Sequence, residues 1–221
     1  MQNRPLLIID FDSTFIKDET LDEIAKLFEN QNSEKIIKEI ENITNQAMAG
    51  KLDFNVALKK RVSLLNFHKD EIQHIIETLK QRITESFLKN KDKIISNKNR
   101  IFIISGGFKE IIIPIVKDYG IDENHVYANE FTFNSHGYIN GINDSSLLSY
   151  NDGKIRAVST LELKNGAYVI GDGITDLELK KIKGITSFIC FIENIDRKSV
   201  SNKADFIANN LDEVFKIIEN K

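Results

Sequence analysis

Five short apolar segments, separated by stretches of helical periodicity, constrain the fold of this chain more than any other feature. They are too short for helices, contain mostly β-branched or aromatic residues, and do not alternate cleanly with polar ones, which is typical of parallel strands buried on both faces. The segments are Leu6 to Ile9, Ile101 to Ile104, Tyr168 to Ile170, Thr186 to Phe191, and Phe206 to Ala208. Strands that alternate with helices predict an α/β fold with an open, doubly wound and mainly parallel sheet.

The interval between the first two segments is too long for a simple crossover. Residues 15–95 contain only helical patterns, with four apolar stripes at helical spacing. Four such helices can bury their apolar faces against one another as a small bundle. We therefore expect a helical cap domain at residues 15–95, inserted into a core domain formed by residues 1–14 and 96–221. A small β-hairpin is predicted for Phe131 to Ile142, where two alternating runs flank a turn sequence.

Net charge and cysteine content exclude several classes of protein. Thirty basic and thirty-three acidic residues give a net charge of -3, without the basic surplus that nucleic-acid and anionic-membrane binding require. The single cysteine, Cys190, excludes an internal disulfide bond and indicates a reducing compartment. Apolar runs are short, and the N-terminal one stops at Asp10, so we expect neither a transmembrane helix nor a signal peptide. The prediction is a soluble cytoplasmic protein, a monomer or homodimer, with no nucleic-acid or membrane partner.

Two carboxylates directly follow the first apolar segment. Asp10 and Asp12 are two residues apart, so in an extended chain both side chains point to the same side. Neighbouring carboxylates repel each other, and a hard cation such as Mg2+ allows both to stay ionised. A helix-capping cluster or a solvated turn explains the same pair, so this spacing alone leaves both interpretations open.

Two further polar clusters follow other apolar segments. Ser105, Gly106 and Gly107 come after the second segment and are expected to open a helix, where a hydroxyl and free amide groups can bind an anion. Asp172 and Asp176 lie four residues apart beside a glycine-rich turn, which is one helical turn if a helix has begun there, and they are candidates for further metal ligands. Helix capping is the alternative explanation for each cluster.

The joint placement of these clusters favours a ligand site. Asp10, Ser105 and Asp172 each end a different predicted strand. In open parallel sheets the ligand crevice lies outside the carboxyl ends of the strands, so three groups distant in sequence should meet at one edge. Capping explains each cluster separately but explains their common position poorly.

The order of these motifs resembles that of the haloacid dehalogenase-like hydrolase superfamily, which has a Rossmann-type core. Asp10-x-Asp12-x-Thr14 is similar to its first motif, Ser105 to its second, Lys154 to its third, and the segment from Gly171 to Asp176 to its fourth. The resemblance covers nearly the whole chain and includes a helical insertion at the position of the family's first type of cap.

The resemblance implies a phosphomonoester hydrolase with covalent catalysis. Asp10 would take the phosphoryl group as an aspartyl-phosphate, while Asp12 would protonate the leaving alkoxide and later activate water. Ser105, the amide of Gly106 and Lys154 would hold the phosphate oxygens.

The resemblance also implies a metal site. Mg2+ would be bound by Asp10, the backbone carbonyl of Asp12 and the carboxylate of Asp172, and Asp176 would support this shell and Lys154. At Thr175 the family usually has asparagine, and the loss of the amide is expected to reduce turnover without abolishing it.

Two stretches resemble the members of this superfamily that act on O-phosphoserine: Asp10 to Ile24, and Ala47 to Leu65 in the cap. Arg61 lies on an apolar helix stripe, where a guanidinium needs a carboxylate partner. That partner is either the substrate carboxylate or an internal acid such as Glu19.

By resemblance, Glu19 binds the substrate ammonium, and its alternative role is a favourable charge near a helix N-terminus. Met48 and Phe54 resemble an apolar lid, and ordinary core packing is their alternative. Together with a phosphate site, these groups predict L-phosphoserine as the substrate.

Three other functions compete with this prediction. The first is a related phosphatase for phosphoethanolamine or phosphohomoserine, and Arg61 discriminates because a substrate without a carboxylate leaves its charge unpaired. The second is a phosphotransferase that passes the group to an acceptor other than water. The third is a noncatalytic phosphate sensor similar to a receiver domain. Such domains lack a four-helix insertion and need no leaving-group acid such as Asp12.

Overall fold

The fold is seen in a computed structural model that describes residues 4–28, 33–48 and 51–220. Its centre is a six-stranded parallel sheet with the strand order β3-β2-β1-β6-β7-β8, and a separate antiparallel hairpin pairs β4 with β5. The strands are β1 (Leu6–Ile9), β2 (Ile101–Phe108), β3 (Val126–Asn129), β4 (Phe131–Phe133), β5 (Ile139–Ile142), β6 (Ala167–Gly171), β7 (Ile185–Phe191) and β8 (Phe206–Ala208). The predicted parallel α/β sheet is confirmed, and so is the hairpin.

Burial on both faces explains why the strand segments do not alternate with polar residues. In β1, Leu7 and Ile9 belong to one apolar cluster, whereas Ile8 between them belongs to another on the opposite face. All three are at most 2% exposed. Strand β3 was not predicted from the sequence, because it lies at the sheet edge and has only four residues, of which the last is the polar Asn129.

Helices cover the sheet and fill the interval after β1. They are α1 (Thr20–Leu27), α2 (Ser33–Met48), α3 (Phe54–Leu64), α4 (Ile72–Lys80), α5 (Glu85–Lys89), α6 (Lys91–Asn97), α7 (Lys109–Lys117), α8 (Gly153–Val158), α9 (Ile174–Leu177), α10 (Lys198–Ser201) and α11 (Leu211–Glu219). Helices α1 to α4 occur where the four apolar stripes predict them. Helix α5 lies against α11, and the N–H of Leu211 donates to Ser86 Oγ at 3.0 Å. No helix among the described residues is long and apolar enough to cross a membrane.

One local prediction at the strand ends is wrong. Ser105, Gly106 and Gly107 do not open a helix but lie inside β2, and α7 begins only at Lys109. Between the pairs Ile104–Tyr127 and Phe108–Asn129, β2 advances four positions while β3 advances two, so the three residues form a bulge. At Asp172 the helix has not yet begun, because α9 starts at Ile174 after the N-cap Gly173, so the condition for Asp172 and Asp176 to lie one helical turn apart is not met.

Candidate active site

Asp10 stands where the chain leaves the sheet. Its N–H still donates to the carbonyl of Ile170 on β6 at 2.9 Å, so a hydrogen bond between the two strands fixes its backbone position. Residues Phe11–Phe15 then form one wide turn, closed by the Ile16 N–H and the Phe11 carbonyl at 3.0 Å. Phe11 and Phe15 anchor this turn because their rings stack at 5.7 Å and are fully buried. Apolar packing thus holds the backbone from which Asp10 and Asp12 project.

Lys154 connects two of the carboxylates. Its Nζ lies 2.9 Å from Asp10 Oδ1 and 2.7 Å from Asp176 Oδ1, and its side chain is only 10% exposed. Burial alone would lower the pKa of Lys154, but the charges of Asp10 and Asp176 raise it above its usual value. The ammonium is therefore a permanent positive charge beside Asp10.

The three buried carboxylates Asp10, Asp172 and Asp176 each offer an oxygen within 4.8 Å of the other two. Burial, followed by the charge of Asp10, raises the pKa of Asp172 and lifts that of Asp176 well above its usual value. Closely spaced carboxylate oxygens with too little positive charge around them are a donor set that fits a hard divalent cation. These residues could hold such an ion.

Asp12 has one carboxylate oxygen in hydrogen bonds and the other turned toward the bulge in β2. Its Oδ1 accepts hydrogen bonds from the N–H of Thr20, at 2.9 Å, and from the Thr20 hydroxyl. Its Oδ2 lies 3.3 Å from the position that a Cβ on Gly107 would take. Burial raises the pKa of Asp12 to about 6, so the side chain holds a proton more readily than an ordinary aspartate. This is suited to a proton donor.

The bulge in β2 forms the floor of the site. Ser105 is fully buried, and its Oγ accepts the N–H of Gly107 at 2.9 Å. Phe54, the first residue of α3, lies directly on Gly106, where an added Cβ would be 2.5 Å from the Phe54 Cζ. Gly106 is needed here because only a residue without a side chain allows this ring to approach the backbone so closely.

Arg61 lies about two helical turns after Phe54 on the same side of α3. It is 6% exposed, and no carboxylate oxygen of the described residues is within 4.0 Å of its guanidinium. Its NH1 donates to Thr44 Oγ1 at 3.3 Å, and that hydroxyl donates to Asp22 Oδ1 at 2.9 Å. Its Nε has no hydrogen-bond partner in the described ranges of the chain. The internal acid that the sequence left open as a direct partner, Glu19 or another, is therefore not in contact.

Glu19 is the N-cap residue of α1 and lines the same cavity as Asp12. Its Oε1 accepts the hydroxyl of Ser13 at 3.0 Å and lies 3.3 Å from Arg197 NH2. Burial, followed by the charges of Asp12 and Asp172, raises the pKa of Glu19 to about 8. A further positive group beside Glu19 would therefore be stabilising.

These side chains surround one cavity of about 340 Å³, a volume suited to a small molecule. The predicted residues that line it are Asp10, Asp12, Glu19, Phe54, Arg61, Gly106, Lys154, Asp172 and Thr175. Ser105 and Asp176 are buried behind this lining, in contact with Gly107 and Lys154 respectively. The side chain of Met48 lies outside the described residues, so its predicted role as a lid stays a prediction.

Arg197, which was not predicted from the sequence, lies between two predicted site residues. Its Nε lies 2.7 Å from Asp172 Oδ2, and its NH2 reaches Glu19. Its only signal in the sequence is scarcity, since the chain has six arginines against twenty-four lysines. Thr20, which binds Asp12, and Thr44, which binds Arg61, were missed as well. Both occupy ordinary helical positions without a motif.

The chain is similar to a known protein family and to several known proteins. The model of the family described as haloacid dehalogenase-like hydrolase matches residues 7–181. The phosphoserine phosphatase of Methanocaldococcus jannaschii is 31% identical over 198 residues, which cover 86% of this chain and 87% of that protein. A phosphoserine phosphohydrolase-like protein from Francisella tularensis subsp. tularensis has a TM-score of 0.84 at 30% identity, covering 97% of this chain and 99% of that one. A phosphoserine phosphatase structure with a phospho-aspartyl intermediate analogue has a TM-score of 0.73 at 27% identity, covering 98% and 99%.

Proposed function

The chain belongs to the haloacid dehalogenase-like hydrolase family, and from this premise we propose that it is a phosphatase that hydrolyses L-phosphoserine to serine and phosphate. The observation that carries the substrate assignment is the buried guanidinium of Arg61, which faces the same cavity as Asp10 and lacks a carboxylate partner within 4.0 Å among the described residues. A substrate carboxylate supplies that partner through two parallel hydrogen bonds. Relatives described as phosphoserine phosphatases support the same assignment.

The proposed reaction has two phosphoryl transfers. The Asp10 carboxylate attacks phosphorus and forms an aspartyl-phosphate, while Asp12 gives its proton to the departing serine oxygen. Asp12 then takes a proton from water, which attacks the phosphorus and releases phosphate and free Asp10. Lys154, whose ammonium is 2.9 Å from Asp10, and the hydroxyl of Ser105 stabilise the negative charge of the phosphoryl oxygens.

We propose Mg2+ as the divalent ion, held by Asp10, Asp172 and the backbone carbonyl of Asp12, with Asp176 holding Lys154 in place. When bound, the ion neutralises phosphate charge and lowers the repulsion between the phosphate and the carboxylates. The carboxylate oxygens that lie within 4.8 Å of one another support this assignment. Thr175 offers a hydroxyl at the cavity wall, in the position where the family usually has asparagine.

Substrate recognition is assigned to the proposed cap, residues 15–95. Arg61 binds the carboxylate of the substrate and Glu19 its ammonium, and both side chains line the same cavity as Gly106 and Gly107. Phe54 closes the cavity above Gly106, and Met48 is proposed to extend this apolar cover. A substrate without a carboxylate would leave Arg61 with its charge buried and unpaired, which disfavours phosphoethanolamine.

The test is phosphate release in the presence of Mg2+ from four compounds: L-phosphoserine, phosphothreonine, phosphoethanolamine and p-nitrophenyl phosphate. We expect a strong preference for phosphoserine and no release by Asp10→Asn, which keeps the shape of the side chain but not its nucleophilic charge. Release from p-nitrophenyl phosphate but not from phosphoserine would refute the substrate and leave the catalytic site. Transfer of the phosphoryl group to added serine or alcohols instead of water would indicate a phosphotransferase.

A further inference from the structure

Asn129 is a buried side chain that the proposed reaction does not use. It ends strand β3 at the edge of the sheet and is fully shielded from solvent. Its Nδ2 donates to the carbonyl of Gly106 at 2.9 Å and lies 3.4 Å from the carbonyl of Leu148. One amide group therefore contacts both the bulge in β2 and the turn at Leu148, which precedes Lys154 on α8.

The bulge explains why a side chain is needed at this point. Between Ile104 and Phe108 the strand β2 has more residues than its partner β3, so the bulged carbonyl of Gly106 is out of register with the β3 backbone. The side chain of Asn129, whose backbone is opposite Phe108, supplies the donor instead. A buried carbonyl without a donor would destabilise this conformation.

The contact reaches Ser105 through a single peptide unit. The carbonyl of Gly106 and the N–H of Gly107 belong to the same planar peptide, so fixing the carbonyl fixes the N–H. That N–H donates to Ser105 Oγ at 2.9 Å. With this lone pair occupied, the hydroxyl proton of Ser105 is left to donate, and no acceptor for it is present among the residues described.

The two ends of the Asn129 amide differ in their hydrogen bonding. Its Oδ1 is buried and has no hydrogen-bond partner within the part of the chain that the structure describes. An unsatisfied buried acceptor is destabilising, and an apolar side chain of the same size would avoid it. The donor end is therefore the feature that this position needs.

We propose that Asn129 is a positioning residue of the phosphate site, which orients the Ser105 hydroxyl toward a phosphate oxygen through the Gly106–Gly107 peptide. This inference rests on the proposed function only in taking phosphate as the bound group. Because the effect passes through Ser105, loss of Asn129 should matter only while the Ser105 hydroxyl is present.

The experiment is a double-mutant cycle on the affinity for inorganic phosphate, measured by titration calorimetry with Mg2+ present, for the wild type, Asn129→Ala, Ser105→Ala and the double variant. We expect Asn129→Ala to weaken phosphate binding about tenfold in the wild type and less than about twofold in Ser105→Ala, as loss of one hydrogen bond predicts. Asn90→Ala is the matched control, because Asn90 is 5% exposed and its Nδ2 also donates to a backbone carbonyl, that of Ser86 at 2.9 Å. It should leave phosphate affinity unchanged.

Asn129→Leu provides a second variant that keeps the volume and removes the unsatisfied acceptor. We expect it to unfold at least as high in temperature as Asn129→Ala and still to bind phosphate about tenfold more weakly than the wild type. An equal loss in both Ser105 backgrounds, or full phosphate affinity in either Asn129 variant, would overturn the inference, as would a wild type that binds no phosphate. If the wild type binds phosphate and the cycle shows the coupling but phosphoserine is not hydrolysed, only the proposed function fails.

Discussion

Replacing Arg61 by methionine should weaken recognition of the substrate carboxylate while leaving the stability of the fold nearly unchanged. Methionine keeps much of the length and apolar surface of arginine but removes the charge and all five donors. In the protein, Arg61 is 6% exposed, and within residues 4–28, 33–48 and 51–220 its guanidinium makes one hydrogen bond, the 3.3 Å contact with Thr44. We expect Arg61→Met to fold normally.

The size of the two effects follows from these contacts. For stability, one weak hydrogen bond is lost while an unpaired buried charge disappears, so the change in unfolding free energy should lie within about 1 kcal/mol of zero. For the substrate, two charge-assisted hydrogen bonds to a carboxylate disappear, which together contribute roughly 3 kcal/mol, or about a hundredfold in kcat/KM. A substrate without a carboxylate loses nothing.

The assay compares kcat/KM for phosphoserine and phosphoethanolamine, together with thermal unfolding. We expect the preference for phosphoserine over phosphoethanolamine to fall about a hundredfold in Arg61→Met. Most of this loss should also occur in Arg61→Lys, which keeps the charge but not the paired donors. Arg156→Met is the control, since Arg156 pairs with Asp152 at 2.8 Å on the surface. Equal losses for both substrates, or a loss of stability of several kcal/mol, would refute the assignment of Arg61 to the substrate carboxylate.

Three further outcomes are expected. Gly106→Ala places a Cβ 2.5 Å from the Phe54 ring, so KM for phosphoserine should rise several-fold with little change in stability, and an unchanged KM would contradict the close contact. Addition of Mg2+ at about a hundred times its dissociation constant should raise the unfolding free energy by about 2.7 kcal/mol, an effect that a chelator reverses and that Asp172→Asn lacks. Burial raises the pKa of Cys190 from 9.0 to about 12, so its contribution to stability is complete below pH 9 and is lost as the pH rises toward 12. Alkaline unfolding should therefore be less steep in Cys190→Ala, and alkylation of native Cys190 at pH 8 should be far slower than in the unfolded chain; equal rates would contradict this.

Parts of the site were predictable because they depend on local patterns. A strand buried on both faces is recognisable from a few consecutive residues, and the carboxyl end of such a strand locates Asp10 and Asp172. Arg61 was recognisable for a similar reason, since its position on an apolar stripe places it on the buried face of one helix. The cavity contains all three side chains.

Other parts depended on which strands pair and in what register. The sequence indicates a helix start after Ile104, whereas pairing with the unpredicted strand β3 keeps Ser105, Gly106 and Gly107 in the sheet as a bulge. Asn129 could not be assigned a role without that strand. The side chain acts on Gly106, twenty-three residues away along the chain.

By itself, then, the sequence determined the parallel sheet, the helical insertion and the carboxylates at the strand ends, because each follows from the periodicity of a short segment. Only the tertiary structure decided which buried charges have partners. Arg197 meets Asp172 and Glu19 across gaps of 25 and 178 residues, whereas Arg61 meets no carboxylate among the described residues. Charge pairing depends on distances of a few ångströms in space, and no local pattern of residues encodes such distances.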